Sequence, residues 1–457
     1  MKKLMYIPVS ANISLVEENK NLVDSSYSFE ETTKTDLYFE LSSELRNKIK
    51  NDFILEYCLS IAIAEAYDAD EIIIPVNIAY IAQQTDNVSG FLHALKRLAH
   101  AGTLKKINVR FSESDNYFRE YKFNANYLNE ILSNLNIKSA LNIYSGGLDC
   151  TVASAYLEKE KIKQQYIFYD YGQNNIKEEK LCVKKQCVSR NIDVADITFD
   201  KELKLFFNHI KFSTGLLSNK KITLKNKKDE YVPFRNSLFI AYSLNYAYSE
   251  DKDITHIITG SHLDDVNSPD NNPLYYNIWN NLLKLTQHYN HISVLPILFK
   301  FGGKTEVVQL GHDLNVDFSQ TWTCHNKSIG DKTLIQCGNC NDCKVREEAF
   351  KQNHLVDPMQ TAYLEITNKV EQDMEHVDLI LDLIKKIKES EENYDLSSYA
   401  SKPLEEFGFD SLMAIHLITL LEDVYDIEID GEYLIDFNYK NPIEIGLLIN
   451  KVRLINE

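Results

Sequence analysis

Long apolar runs are missing from this chain. No stretch approaches the roughly 20 residues that a membrane-spanning helix needs, so integral membrane placement is not expected. The start, "MKKLMYIPVSANI", is too short in its apolar part and too interrupted by Pro8 for a secretory leader. A cytoplasmic protein is therefore expected, with its eight cysteines reduced or metal-bound. Positive charge is also short: 49 Lys and Arg stand against 67 Asp and Glu. That balance argues against a broad basic nucleic-acid surface. No internal repeat is visible. Glycine is scarce, with 15 in 457 residues, so two glycines standing together call for a reason.

Hydrophobic and charged contents of 44% and 25% are those of a globular protein, and the length suggests two or three domains. Residues 1–138 read as an α/β domain of unknown role. It has strands at "KLMYIPV", "DLYFEL" and "EIIIPV", a long helix over "SELRNKIKNDFILEYCLSIAIAEAYD" and a helix ending on Gly102. Cys58 falls in the long apolar helix and reads as a core thiol. Residues 139–358 alternate strand and helix, which predicts a doubly wound, Rossmann-like parallel sheet. Residues 370–457 are helical and acidic. From Asp373 onward 20 acidic and 7 basic residues give −13 of the chain's net −18.

The paired glycines lie in "LNIYSGGLDCTVASAYL", between a strand pattern and a helix pattern. Backbone N–H groups at such a strand-to-helix turn attract anions. Tyr144, Ser145, Gly146, Gly147, Leu148, Asp149, Cys150 and Thr151 are the candidate nucleotide-binding residues. Ser145 and Thr151 offer hydroxyls. A carboxylate belongs in an anion site only with a cation, so Asp149 suggests Mg²⁺ bridging phosphates. The spacing here excludes the ordinary Walker loop, which needs Gly-Lys-Ser/Thr after its glycines. "SGGLDCT" resembles the SGGxDS loop of the N-type ATP pyrophosphatases, which cleave ATP to AMP and pyrophosphate and share an adenine nucleotide alpha hydrolase-like fold. Cys150 stands where that loop has serine, which either weakens it or is compensated by Thr151.

Cys324, Cys337, Cys340 and Cys343 form a second constellation. Three are closely spaced and the fourth comes from across a 12-residue excursion. Four thiolates suit a closed tetrahedral structural Zn²⁺ site, with an iron–sulfur cluster as the alternative. Loop and cysteines together resemble the 7-cyano-7-deazaguanine synthase family. "FYDYGQ", "VPFRN", "SPDNNP" and "TWTC…CGNCNDCKVREEAF" look like its FDYGQ, VPGRN, YPDCRP and zinc segments. Phe234, Asn271 and Asn272 depart from those patterns, in parts the resemblance assigns to substrate recognition. "GSHLDD" looks more like a segment of tRNA-modifying relatives.

The resemblance implies ATP, Mg²⁺ and Zn²⁺ as cofactors, a small-molecule acid such as 7-carboxy-7-deazaguanine as substrate, and ammonia as co-substrate. It also implies frequent dimers. It makes Asp149, Ser145, Arg235 and Asp270 the candidate catalytic residues: Arg235 to meet a carboxylate or phosphate, Asp270 to accept from the base edge. No glutaminase cysteine is evident near the N-terminus, so ammonia or another amine comes from solution or a partner.

In the acidic tail, "FGFDSLMAI" resembles the acyl carrier protein signature, which implies a four-helix carrier domain. Ser411 would carry 4′-phosphopantetheine, attached by a phosphopantetheinyl transferase, with a carrier-loading enzyme as a further partner. Four readings follow. The first is an ATP-dependent carbon–nitrogen ligase of the synthase type. The second is a divergent ligase that conjugates an acid to a protein, peptide or carrier-bound amine. The third is a tRNA thiolase-like enzyme, against which Cys182 and Cys187 lack C-x-x-C spacing. The fourth is a nucleotide-binding scaffold without turnover.

Overall fold

A computed structural model describes residues 3–5, 53–111 (except 67, 68, 75 and 77), 123–200 (except 194 and 195), 203–204, 232–249, 253–328, 334–359 (except 339), 374–388, 402–429 and 441–449 (except 447). The expected strand at "DLYFEL" lies outside them. The chain forms two compact units, Met1–Met359 and Gln360–Glu457.

The first unit holds two parallel sheets. The smaller joins β1 (Lys3–Met5), β2 (Glu71–Ile74) and β3 (Asn108–Phe111), in that order. The larger contains β4 (Ser139–Ile143), β5 (Lys163–Tyr169), β6 (Ile197–Asp200), β7 (His256–Thr259) and β8 (Ser293–Pro296). Its order is β6-β5-β4-β7-β8, with every neighbour parallel. The chain runs outward from β4 to β6, then returns to β7 on the other side of β4. That reversal between β4 and β7 is the switch point where open α/β sheets bind ligands.

Helices in the first unit are α1 (Phe53–Ala66), α2 (Val88–Gly102), α3 (Tyr127–Ser133), α4 (Leu148–Lys159) and α5 (Ile176–Ser189). They continue with α6 (Arg235–Ser249), α7 (Pro273–Lys284), α8 (Lys304–Asp313) and α9 (Asn341–Gln352).

Strand alternation places successive residues on opposite faces. Leu141, Ile257 and Val294 point into one core with α6 and α7. Ala140, Ile258 and Leu295 point into another with α4, α8 and α9. Both faces are covered, which explains the near-continuous apolar strands. α1 is buried all round, with 12 of its 14 residues buried, Glu56 and Glu65 among them, and its otherwise apolar faces fit a helix that neighbours surround. Its residues share one core with α6, α7 and the face of Leu141. Cys58 is fully buried there.

Phe234 shows what this shared core does. It sits at φ +49°, in the left-handed region that costs a non-glycine residue about 1–2 kcal/mol. Its ring is fully buried, with Cε2 2.7 Å from where a Cβ on Gly102 would stand. Phe234 therefore points into the core beside α2, not into the substrate cleft where the resemblance would put it. Phe234→Gly relieves the strain but removes a buried aromatic worth about 3–5 kcal/mol. A net loss of about 2–3 kcal/mol is expected as a lower urea midpoint; an unchanged or higher midpoint would mean that the packing of the ring does no more than offset the backbone strain.

In the second unit, α10 (Met374–Ile387) packs against α11 (Ser411–Tyr425). Ile380, Ile384, Leu417, Leu421 and Ile445 form its core.

Candidate functional site

The loop after β4 is built around Gly146 at φ +76°. A Cβ there would come 3.0 Å from the Glu179 carbonyl oxygen and from Val183 on α5, so only glycine fits. Gly147 then caps α4, and the loop faces a cleft of about 310 Å³ between the ends of β4 and β7. The Ser145 hydroxyl accepts from the Gly147 N–H at 3.3 Å and lies 3.6 Å from Cys150 Sγ. Cys150 Sγ donates to the Gly147 carbonyl, and burial pushes its thiol up. Thr151 does not replace the missing serine in the cleft. Its hydroxyl is turned inward, donating to the Gly147 carbonyl at 2.6 Å and to Gln186 at 3.0 Å. Tyr144 is buried, with its hydroxyl on Gln186 and Arg190. It supports the loop from behind while also contributing to the cleft wall.

Asp149 is held by a residue that local motif reading misses. Lys304, the first residue of α8, reaches both carboxylate oxygens at 2.7 Å. The Lys304 side chain is only 6% exposed, and its backbone N–H is capped by Asp264 at 2.7 Å. His262 Nε2 lies 3.9 Å from Asp149 and 3.8 Å from Asp265. Burial alone would push Asp149 up; Lys304, with His262 behind it, overrides this and holds it below the usual carboxylate range.

Arg235 opens α6 on the other side of the cleft. Its guanidinium lies over the rings of Tyr171 and Phe239, with centroids at 5.6 and 5.8 Å. Phe239 stacks on Tyr169 with centroids 4.6 Å apart and planes 3° from parallel. The result is a flat aromatic wall carrying a cation.

Asp270 is only 3% exposed. It accepts from Ser268 Oγ at 3.0 Å and from the Asn236 N–H at 3.3 Å, and so fixes Asn236 beside Arg235. Its neighbour Asn271 reaches the cleft, bonded to Ser261 and to Tyr276. Asn272 instead caps α7, accepting from the Tyr275 N–H at 3.0 Å.

Glu179, on α5, is a second cleft residue that the motifs do not mark. Gln173 Nε2 donates to it at 2.8 Å. Burial pushes it up to about 7, against the pull of Gln173 and Arg235.

The four predicted cysteines converge. One Sγ from each of Cys324, Cys337, Cys340 and Cys343 lies within 4.8 Å of the others. Cys340 and Cys324 are 3.9 Å apart, and Cys337 and Cys343 are 4.0 Å apart. A tetrahedron with zinc–sulfur bonds of about 2.3 Å spaces its sulfurs by about 3.8 Å, so the donor set fits a single Zn²⁺. A cluster would put the thiolates on different irons and spread them further. Cys340 caps α9 and Cys343 lies in its first turn. Arg346 anchors the same helix through a buried pair with Asp357 at 2.7 and 2.9 Å.

The metal segment also forms cleft wall, through Trp322, Thr323 and His325. Asn175 Nδ2 joins it to α5 by donating to the Cys324 carbonyl at 2.8 Å. Cys340→Ser is therefore expected to lower the metal content from one zinc per chain and to reduce the melting temperature. Zinc binding contributes on the order of 10 kcal/mol in small finger peptides, and less where a large core remains. Elemental analysis with a thermal melt tests this; iron in the native protein would overturn the zinc assignment.

In the second unit, Ser411 is the first residue of α11. Asp410 caps that helix, its side chain accepting from the Met413 N–H at 2.8 Å. Leu412 and Ile415 are exposed nearby. Among the described residues, no helix is long and apolar enough to cross a membrane.

Comparison with known proteins agrees with this geometry. Residues 139–354 match the family described as queuosine biosynthesis protein QueC, and residues 382–446 match the phosphopantetheine attachment site. The 7-cyano-7-deazaguanine synthase of Hahella chejuensis is 30% identical over 227 residues, covering 48% of this chain and 91% of the relative. Those of Thermoplasma volcanium and Rickettsia felis are each 28% identical, over 231 and 236 residues. These alignments cover 49% of this chain in each case, and 90% and 99% of the relatives. The loop at the sheet's switch point, the tetrathiolate beside it and these matches place the chain in the 7-cyano-7-deazaguanine synthase family, with a phosphopantetheine attachment domain behind the synthase region.

Proposed function

We propose that residues 139–358 form an ATP-dependent carbon–nitrogen ligase, that residues 1–138 support it, and that residues 370–457 act as its carrier. A carboxylate, 7-carboxy-7-deazaguanine or a close analogue, attacks the α-phosphate of ATP and releases pyrophosphate. Ammonia then attacks the acyl carbon and AMP leaves with the carbon–oxygen electron pair. A second activation, in which the amide oxygen attacks the α-phosphate of another ATP and releases pyrophosphate, followed by loss of AMP and of both amide protons, would give the nitrile.

The observation that carries this reading is the Asp149–Lys304 pair beside the loop amides at the switch point. Lys304 and the N–H groups of the loop would bind phosphate, and Ser145 would donate to it. Asp149 is the residue to hold Mg²⁺, which supplies charge neutralisation on the departing pyrophosphate. Arg235 would meet the substrate carboxylate, with Tyr171 and Phe239 as an apolar face for a planar ring. Asp270 would act through Asn236.

A second reading is favoured by the attachment domain. An amine or acid borne on a phosphopantetheine arm at Ser411 would replace ammonia or the free acid, after a transferase has installed the arm. Incubation with ATP, Mg²⁺, ammonia and 7-carboxy-7-deazaguanine, followed by mass spectrometry of small molecules and of intact protein, separates the two. Free amide or nitrile with AMP supports the first, and a covalent adduct on the modified chain supports the second. Nucleotide binding without AMP would leave a scaffold.

A further inference from the structure

We infer that Glu179 is the general base that takes the proton from the attacking nitrogen. This rests on the ligase reading above and deepens it. Attack of ammonia on an acyl adenylate forms a carbon–nitrogen bond and leaves the nitrogen positively charged. The carbon–oxygen bond to AMP breaks, AMP leaves as an anion, and one proton must go from nitrogen to an acceptor. Adenylation itself releases no proton from its carboxylate nucleophile, so the acceptor is needed only in the second step.

The cleft contains few groups able to accept that proton. Asp149 is clamped at both oxygens by Lys304. Asp342 is paired with His325, and Asp265 lies 3.8 Å from His262. Glu179 differs, since its carboxylate is held by two amides, Gln173 and Asn175, and no cation pairs with it within 4 Å among the described residues.

Gln173 is itself immobilised. Its Nε2 also donates to the Tyr169 carbonyl at 3.0 Å, and its Oε1 accepts from the Tyr171 N–H at 3.0 Å. The carboxylate is thus aimed by a fixed side chain, on the helix that backs Gly146 and between the phosphate loop and the Arg235 wall. The charged and titratable groups facing it are Arg235, Tyr171, Cys182 and Glu178. Arg235 favours the ionised form and Glu178 opposes it. Burial outweighs both and sets a value of about 7, where a base is half ionised at neutral pH and its conjugate acid readily returns the proton to solvent.

The test separates the two half-reactions in the full chain. ATP–pyrophosphate exchange reports adenylation; amide formation from ammonia, or hydroxamate from hydroxylamine, reports the second step. Glu179→Gln keeps the size of the side chain and an oxygen for Gln173. It is expected to slow amide formation at least about 100-fold more than exchange. The wild-type second step should rise with pH through about 7. Hydroxylamine is largely unprotonated there, so with it the rise belongs to the enzyme. Glu179→Gln should lose that limb and Glu179→Asp should retain part of it. Equal slowing of both half-reactions with the limb intact would overturn the assignment. Absence of exchange in the wild type would sink the adenylation reading, and the base with it.

Discussion

Asp149→Asn is expected to lower release of pyrophosphate and AMP by about 10²–10³-fold, the range seen when one group is removed from a charge-stabilising site. Asparagine keeps the shape of the side chain but removes the charge that would hold Mg²⁺. It also leaves the Lys304 ammonium, 6% exposed, without its carboxylate. Removing one partner of such a buried pair costs a few kcal/mol, less here because Asp149 is a quarter exposed. Lost activity and lost stability therefore have to be told apart.

The double change Asp149→Asn with Lys304→Met removes the stranded charge and should recover much of the melting temperature without recovering turnover. Recovery of pyrophosphate release in the double variant would show that stability, not phosphate chemistry, was at stake. Acid provides a second readout. The Asp149 pKa is lowered by folding, so the pair stabilises the fold above the ordinary carboxylate range. That contribution is lost as pH falls through the folded-state value. The wild type should lose its melting-temperature advantage over Asp149→Asn on acidification.

What could be read from the sequence was what is local in the chain. Gly146, Gly147 and Asp149 lie within four residues, and three of the four zinc cysteines within seven. Spacing conveys both constellations, although Cys324 comes from across the excursion and Cys343 lies in α9. Lys304 lies 155 residues from Asp149. Only the return of the chain past β4 to β7 and β8 brings α8 to the loop, and Gly303-Lys304-Thr305, although it has the Gly-Lys-Thr order of a Walker loop, has Leu298 where that loop needs its first glycine. Glu179 is hidden differently: "KEEK" reads as an exposed helix start, while the packing of α5 against Gly146 buries both glutamates.

Phe234 fails by position. Matched to a family glycine, it implies an altered substrate pocket, but its backbone keeps the glycine-like left-handed turn and its ring fills the core beside Gly102. Thr151 looks like a phosphate donor from sequence because its hydroxyl could face either way. The helix turn gives it the Gly147 carbonyl instead. Of Cys150, Phe234, Asn271 and Asn272, Cys150 and Asn271 line the cleft, together with Gly260, Ser261 and Asp265 of the departing "GSHLDD", and these are the positions where a changed substrate would be felt.

Ser411→Ala is expected to abolish covalent attachment of phosphopantetheine. The argument starts at the helix end. Gly408, at φ +73°, turns the chain, Asp410 caps α11, and residue 411 is the first in the helix. The first N–H groups of a helix lack intrahelical acceptors and favour an anion there, which suits the phosphodiester that such an arm introduces. The core of the unit takes Leu417 and Leu421 from the later turns of α11. Alanine, a good helix former, should leave the unit folded. Treatment with coenzyme A and a broad-specificity transferase should add one phosphopantetheine per wild-type chain and none to Ser411→Ala, as read by intact-protein mass. A tethered substrate meets its enzyme at roughly millimolar effective concentration when the connection spans the sites. Product built on the arm should therefore vanish in Ser411→Ala, while free amide made from dissolved ammonia should persist. Wild-type chain that gains no mass, beside a carrier protein that does, would remove Ser411 as an attachment point and with it the reading of a carrier-borne substrate.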